Sequence, residues 1–164
     1  MNFSKTPEQV GISSADIQRY IDRLEQYRFS THNLLIARGD DVVFEKYWEP
    51  FYQDYLHREY SASKSIVGIA VGFAVQDGLF SLDDRMIDLF PEELKNQPEE
   101  NIRNQTVRNM LMMSTSKIDC GWFAHRPEDR VQHYFDTQDA NAHPAGTIFF
   151  YDSEGSFVLG ALVA

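Results

Sequence analysis

The sequence predicts an α+β fold in which one antiparallel β-hairpin precedes a mainly helical region. Three observations carry this. Two short extended runs, His32 to Arg38 and Val42 to Tyr47, flank Gly39-Asp40-Asp41, the residue types a tight turn requires. Ahead of them, Ile17, Tyr20, Ile21, Leu24 and Tyr27 recur at helical spacing. Beyond them, Ile66 to Val75 is apolar on nearly every side, which predicts a helix buried all round.

The elements follow in order. Ser13-Ser14-Ala15-Asp16 starts the first helix, with Ser13 as cap and Asp16 near the positive end of the dipole. At the hairpin turn Arg38-Gly39-Asp40 also spells an integrin tripeptide, but Gly and Asp in a turn account for it. The helix beginning at Ser61 is expected to stop at Asp77-Gly78. Its Gly68 and Gly72 read as close packing, because the apolar run is too short to span a bilayer. Asn96 to Gln105 reads as a polar loop around Pro98. Thr106 then caps a short helix whose core candidates are Val107, Met110, Leu111 and Met113. Residues 119–145 read as irregular, with Trp122, Phe123, His125, Pro127, Tyr134 and Phe135 scattered among polar residues. A loop that long is expected to serve a site or line a cleft. The chain thus reads as one domain over 1–164, with helix and hairpin in 1–60 and the helical region in 61–164.

Composition narrows the class. With 164 residues, 43% of them apolar, the chain can bury one domain's core. A net charge of −10 without a Lys/Arg cluster argues against nucleic acid and anionic membranes as partners. Cys120 is the single cysteine, so no internal disulfide forms, which suits a reducing compartment. The stretch from Met1 to Glu8 lacks the apolar core of a signal peptide, and a cytoplasmic protein is expected. His32, His57, His125, His133 and His143 show no metal-ligand spacing and no Gly-rich phosphate loop is present, so neither metal nor cofactor is expected. Asp83-Asp84 and Glu92-Glu93 fit turn and helix-start roles, and the glycosylation strings at Asn2-Phe3-Ser4 and Asn104-Gln105-Thr106 arise by chance at this length.

The chemistry lies in Tyr60-Ser61-Ala62-Ser63-Lys64-Ser65. Three-residue spacing puts Ser61 and Lys64 on one helix face, where the amine reaches the hydroxyl. A serine hydroxyl needs a base before it attacks a carbonyl, and a lysine amine serves once its surroundings lower its pKa. A helix N-terminus at Ser61 adds N–H groups for a developing oxyanion. The same Ser-x-x-Lys string recurs at Ser114-Thr115-Ser116-Lys117, but there it follows a helix instead of starting one. Taken without context, either copy reads as a surface Ser and Lys.

The surroundings of the first copy are more specific. Tyr60 to Gly68, Asp77-Gly78-Leu79-Phe80-Ser81-Leu82-Asp83-Asp84 and Leu89-Phe90-Pro91-Glu92 closely resemble the serine β-lactamase, DD-peptidase and related esterase family, nearest to its class C-like branch. Val107 to Ser116 is similar to that family's next block, with Lys117 where a Gly is common. Pro144-Ala145-Gly146-Thr147 through Tyr151-Asp152-Ser153 is similar to its Tyr-x-Asn segment. The likeness runs from about residue 10 to the last. It implies a β-lactamase/transpeptidase-like fold and a serine hydrolase acting on a small ester or amide, β-lactams among the candidates. Ser61 would be the nucleophile, Lys64 and Tyr151 its proton handlers, and Ser153 a substrate contact.

Two departures bear on activity. Ser153 stands where the family has Asn, which favours an esterase or amidase over efficient β-lactam turnover. The family's Lys/His-x-Gly strand belongs well beyond Ser153, and the chain runs on only through the apolar Phe157 to Ala164. An N-terminal portion lacking the later strands is therefore expected, inactive alone and prone to self-association through an exposed last helix. The competing reading is a non-catalytic penicillin-binding-like module.

Overall fold

The computed structural model describes residues 5–117, 122–137 and 142–164. Cys120, the Asn2-Phe3-Ser4 string and part of the 119–145 stretch lie outside them. The chain divides into two compact units, Met1–Arg58 and Glu59–Ala164.

The first unit holds α1 (Ser14–Gln26), β1 (Asn33–Arg38) and β2 (Asp41–Tyr47). Ser13 caps α1 by accepting a hydrogen bond from the Asp16 amide, and Ile17 and Ile21 bury the apolar face while Tyr20 and Tyr27 stay exposed. The strands pair antiparallel as a two-stranded sheet, and Gly39 supplies the positive φ of 60° in the turn between Arg38 and Asp41. An irregularity after Ile36 leaves Val43 as the extra residue on β2, where it is buried. Glu25 ties the end of α1 to the strand's end, accepting from Trp48 Nε1 at 3.0 Å.

The second unit is helical: α2 (Ser63–Gln76), α3 (Met86–Leu89), α4 (Glu100–Arg103), α5 (Val107–Leu111), α6 (Arg130–Asp136) and α7 (Ser153–Leu162). Thr106 and Asn109 form a reciprocal capping box at α5. Antiparallel backbone bonds join residues 82–86 to 105–108, among them Met86 N to Gln105 O at 2.9 Å and Arg108 N to Leu82 O at 2.8 Å. The core gathers one or two residues from each helix, including Val71, Met86, Ile102, Met110, Phe135 and Val158.

Several sequence expectations are corrected here. First, α2 is not buried all round. Val71 and Ala74 are covered, but Ile66, Ile69 and Phe73 on the other side are 65, 60 and 61% exposed, and Gly68 and Gly72 do not mark close packing, since a Cβ at either would meet no atom within 4 Å. Second, 119–145 is not wholly irregular, since α6 buries Tyr134 and Phe135; a seven-residue helix offers too few turns for a periodic signal to stand out. Likewise Asn96 to Gln105 contains α4, which buries Ile102. Third, the final helix is neither uncapped nor exposed. Its cap is Asp152, and Val158 and Leu159 are buried where α7 packs against α2, α5 and α6. Full burial of such side chains contributes about 1.5–3 kcal/mol each. Fourth, the second Ser-x-x-Lys copy is buried and not on the surface: Lys117 is 1% exposed. No helix among the described residues is long and apolar enough to cross a membrane.

Candidate active site

Ser61 lies in a single 3₁₀ turn, Tyr60–Ala62, that leads directly into α2. Tyr60 adopts φ +48°, a left-handed conformation uncommon for a bulky residue and typical of sites where neighbouring structure holds strain in place. Ser63 Oγ donates to the Tyr60 carbonyl at 2.6 Å and fixes this turn. One turn on, Lys64 Nζ donates to Ser61 Oγ at 3.2 Å.

Tyr151 comes from the segment preceding α7. Lys64 Nζ lies 5.0 Å from the centre of its ring. Hydrogen bonding to Ser61, then to Lys64, pulls the phenol below its ordinary pKa, and the lysine's charge adds to this. Ser61, Lys64 and Tyr151 are thereby brought together from sequence positions 90 residues apart. Ser153, the first residue of α7, lines the same groove as Ser61 and Lys64. That groove has a volume of about 750 Å³, within the range usual for small-molecule sites.

Between Tyr151 and Ser153 sits Asp152, which is 1% exposed. Its carboxylate accepts from Thr115 Oγ1 at 2.9 Å and from the Gly155 amide at 2.8 Å. The fit is tight: a Cβ on Gly155 would stand 2.7 Å from Asp152 Oδ2, so a side chain there must displace the carboxylate. Three backbone bonds reinforce the seam, namely Phe150 N to Met113 O at 2.8 Å, Gly146 N to Ser114 O at 2.7 Å and His143 N to Ser116 O at 3.0 Å. The second Ser-x-x-Lys block thus forms the bed on which the Tyr151 segment lies. Lys117 itself donates to the Tyr134 carbonyl at 2.6 Å and sits 4.1 Å from the centre of that ring.

Trp122 lines the groove, from a stretch that sequence reasoning expected to serve a site or line a cleft, whereas the Thr115–Asp152 contact and the Phe157 wall were missed. The density of aromatics after Cys120 was the available signal for the walls; nothing in the letters signalled the contact. Among the described residues no group of three or more His, Cys, Asp or Glu is placed to hold a metal ion.

The helical region thus carries a paired Ser and Lys at its first turn and a Tyr just ahead of its last helix. The chain belongs to the beta-lactamase family, whose model matches residues 17–164. Solved structures share the fold. A Bacteroides dorei DSM 17855 protein described as a β-lactamase superposes with a TM-score of 0.72 at 16% identity, covering 92% of this chain and 45% of its own. A Bacillus anthracis protein described as a 6-aminohexanoate-dimer hydrolase gives 0.62 at 16% identity, with 87% and 41% covered. The chain therefore spans less than half the length of these structures. Among curated proteins no sequence match is found.

Proposed function

We propose that Ser61 is the nucleophile of a serine hydrolase that cleaves an ester or amide through an acyl-enzyme. The observation that carries this is the 3.2 Å contact between Lys64 Nζ and Ser61 Oγ beside a phenol of lowered pKa. In the first step Ser61 Oγ bonds to the substrate carbonyl carbon while its proton passes to the Tyr151 oxygen, whose anionic form Lys64 stabilises. As the tetrahedral intermediate collapses, the bond to the leaving group breaks and the same proton goes to the departing oxygen or nitrogen. Water then attacks the acyl-enzyme by the reverse path and frees Ser61. Ser153, at the groove's rim, offers a hydroxyl to the bound substrate.

A fluorophosphonate probe applied to the full-length parent tests the proposal. Labelling at Ser61 that disappears in Ser61→Ala supports it. Absence of labelling, or labelling that persists in Ser61→Ala and vanishes in Ser114→Ala, overturns it and leaves the non-catalytic module as the reading.

A further inference from the structure

The first turn of α7 divides its residues between two environments. Ser153, Ser156, Gly160 and Ala161, all small, line the groove, whereas Glu154 and Val158 are buried on the inner face. The buried acids Asp152 and Glu154 are held differently. Asp152 takes hydrogen bonds from Thr115 and the Gly155 amide. Glu154 is 2% exposed, and its Oε1 accepts no hydrogen bond from the described residues. Arg130 Nη1 stands 3.6 Å from that oxygen and His133 Nδ1 3.9 Å.

Such a carboxylate is a cost to the fold. Burial pushes the Glu154 carboxyl above its ordinary pKa of 4.5; Lys117 and Arg130 pull it down, and Asp152 pushes it further up. Burial, then the charge of Lys117, lowers the pKa of His133, so that imidazole adds no charge at neutral pH. The stability Glu154 contributes is therefore present below its ordinary pKa and lost as pH rises through the raised one. A buried group kept ionised at that cost points to a task beyond packing. Arg130 connects it to one. The guanidinium lies 4.1 Å from the centre of the Trp122 ring, and its Nη2 donates to the His125 carbonyl at 3.2 Å. Trp122 lines the groove with Ser61 and Lys64, and its ring stands 5.9 Å from Phe157 of α7. Arg130 thus brackets the first turn of α7 to an aromatic wall beside the nucleophile.

We propose that Glu154 is a positioning residue, whose carboxylate sets the Arg130 guanidinium and through it the Trp122 ring beside Ser61. The inference rests on the serine hydrolase reading above. A planar guanidinium stacks well only in one orientation, and a fixed carboxylate supplies that orientation.

Glu154→Gln in the full-length parent tests this, because it keeps the shape and removes the charge. At neutral pH kcat/KM for a 4-nitrophenyl ester should fall about tenfold, within what slight misplacement near a reacting centre costs. The thermal midpoint should stay level or rise, since a desolvated charge is gone. In a Trp122→Ala background the same substitution should change kcat/KM by less than about twofold, because the group it acts through is absent. The wild-type and Glu154→Gln profiles should also converge as pH falls through the raised pKa, where the wild-type carboxyl is itself neutral. A Glu154→Gln rate at the wild-type level, a loss undiminished in Trp122→Ala, a lowered thermal midpoint, or profiles that stay parallel into the ordinary carboxylate range would each overturn the positioning role. Ser61→Ala in the same assay separates the two layers. If it hydrolyses the ester at the wild-type rate, the serine hydrolase reading falls; if it falls to background while Glu154→Gln keeps the wild-type rate, only the positioning role does.

Discussion

Ser61-Ala62-Ser63-Lys64 and Ser114-Thr115-Ser116-Lys117 share a pattern and have opposite fates. The first copy starts a helix, so three-residue spacing stacks amine on hydroxyl at the edge of a groove. The second follows α5, which Met113 ends with a φ of +51°, and the residues after it run through a bend. There the serine and lysine do not share a helix face. Ser114 turns back to the Asn109 carbonyl at 3.4 Å, while Lys117 reaches Tyr134 in the interior. Spacing becomes chemistry only through the conformation that carries it.

This contrast can be broken by experiment on the full-length parent, most forcefully at the serines. Ser61→Ala should lower ester hydrolysis by roughly a millionfold or to background, as nucleophile removal does in serine hydrolases, whereas Ser114→Ala should keep phosphonate labelling. The lysines should dissociate next. Lys64→Ala should lower kcat by about a hundred- to ten-thousand-fold with stability changed by no more than about 0.5 kcal/mol. Lys117→Ala should instead cost about 2–5 kcal/mol in denaturant unfolding, because it empties a buried volume and strands a carbonyl. Equal destabilisation by both would erase the distinction.

Thr115→Val probes the link between the copies. It removes a buried donor from Asp152, so about 1–3 kcal/mol of stability should be lost. With its neighbour loosened, Tyr151 should also act less well, by a factor smaller than for Lys64→Ala. Unchanged kinetics would show that the Tyr151 segment is held without this contact. The smallest effect is a pH shift. If phenolate is the active form, kcat/KM should rise with pH through a midpoint below the ordinary tyrosine value of about 10. Lys64→Met removes a cation and donor that favour phenolate, so the residual activity's midpoint should move upward. A downward shift would exclude phenolate as the base.

Much of this was legible from local signals. Ser13, Gly39 and Thr106 stand where caps and turns require them, and helical spacing set Ser61 and Lys64 on one face, but only their family-like surroundings set that copy apart from Ser114 and Lys117. Tyr151 was legible only by resemblance to a family, since no local rule ties it to residues 90 positions earlier. The burial of Lys117 was illegible, because charge argues for the surface until Tyr134 and its carbonyl are known to be near. The groove side of α7 escaped for a different reason. Hydrophobicity is almost uniform around that helix, so periodicity of polarity is blind to a face distinguished by bulk.

Gly160 makes that face an adjustable fitting. A Cβ placed there would meet Val67 Cγ2 at 3.8 Å, an ordinary contact that displaces nothing. Successive replacement by Ala, Val and Leu would therefore shorten the space beside Ser61 in graded steps. The depth of the groove could then be set at a position remote from Lys64 and Tyr151 in sequence, as a gauge block sets the depth of a cut.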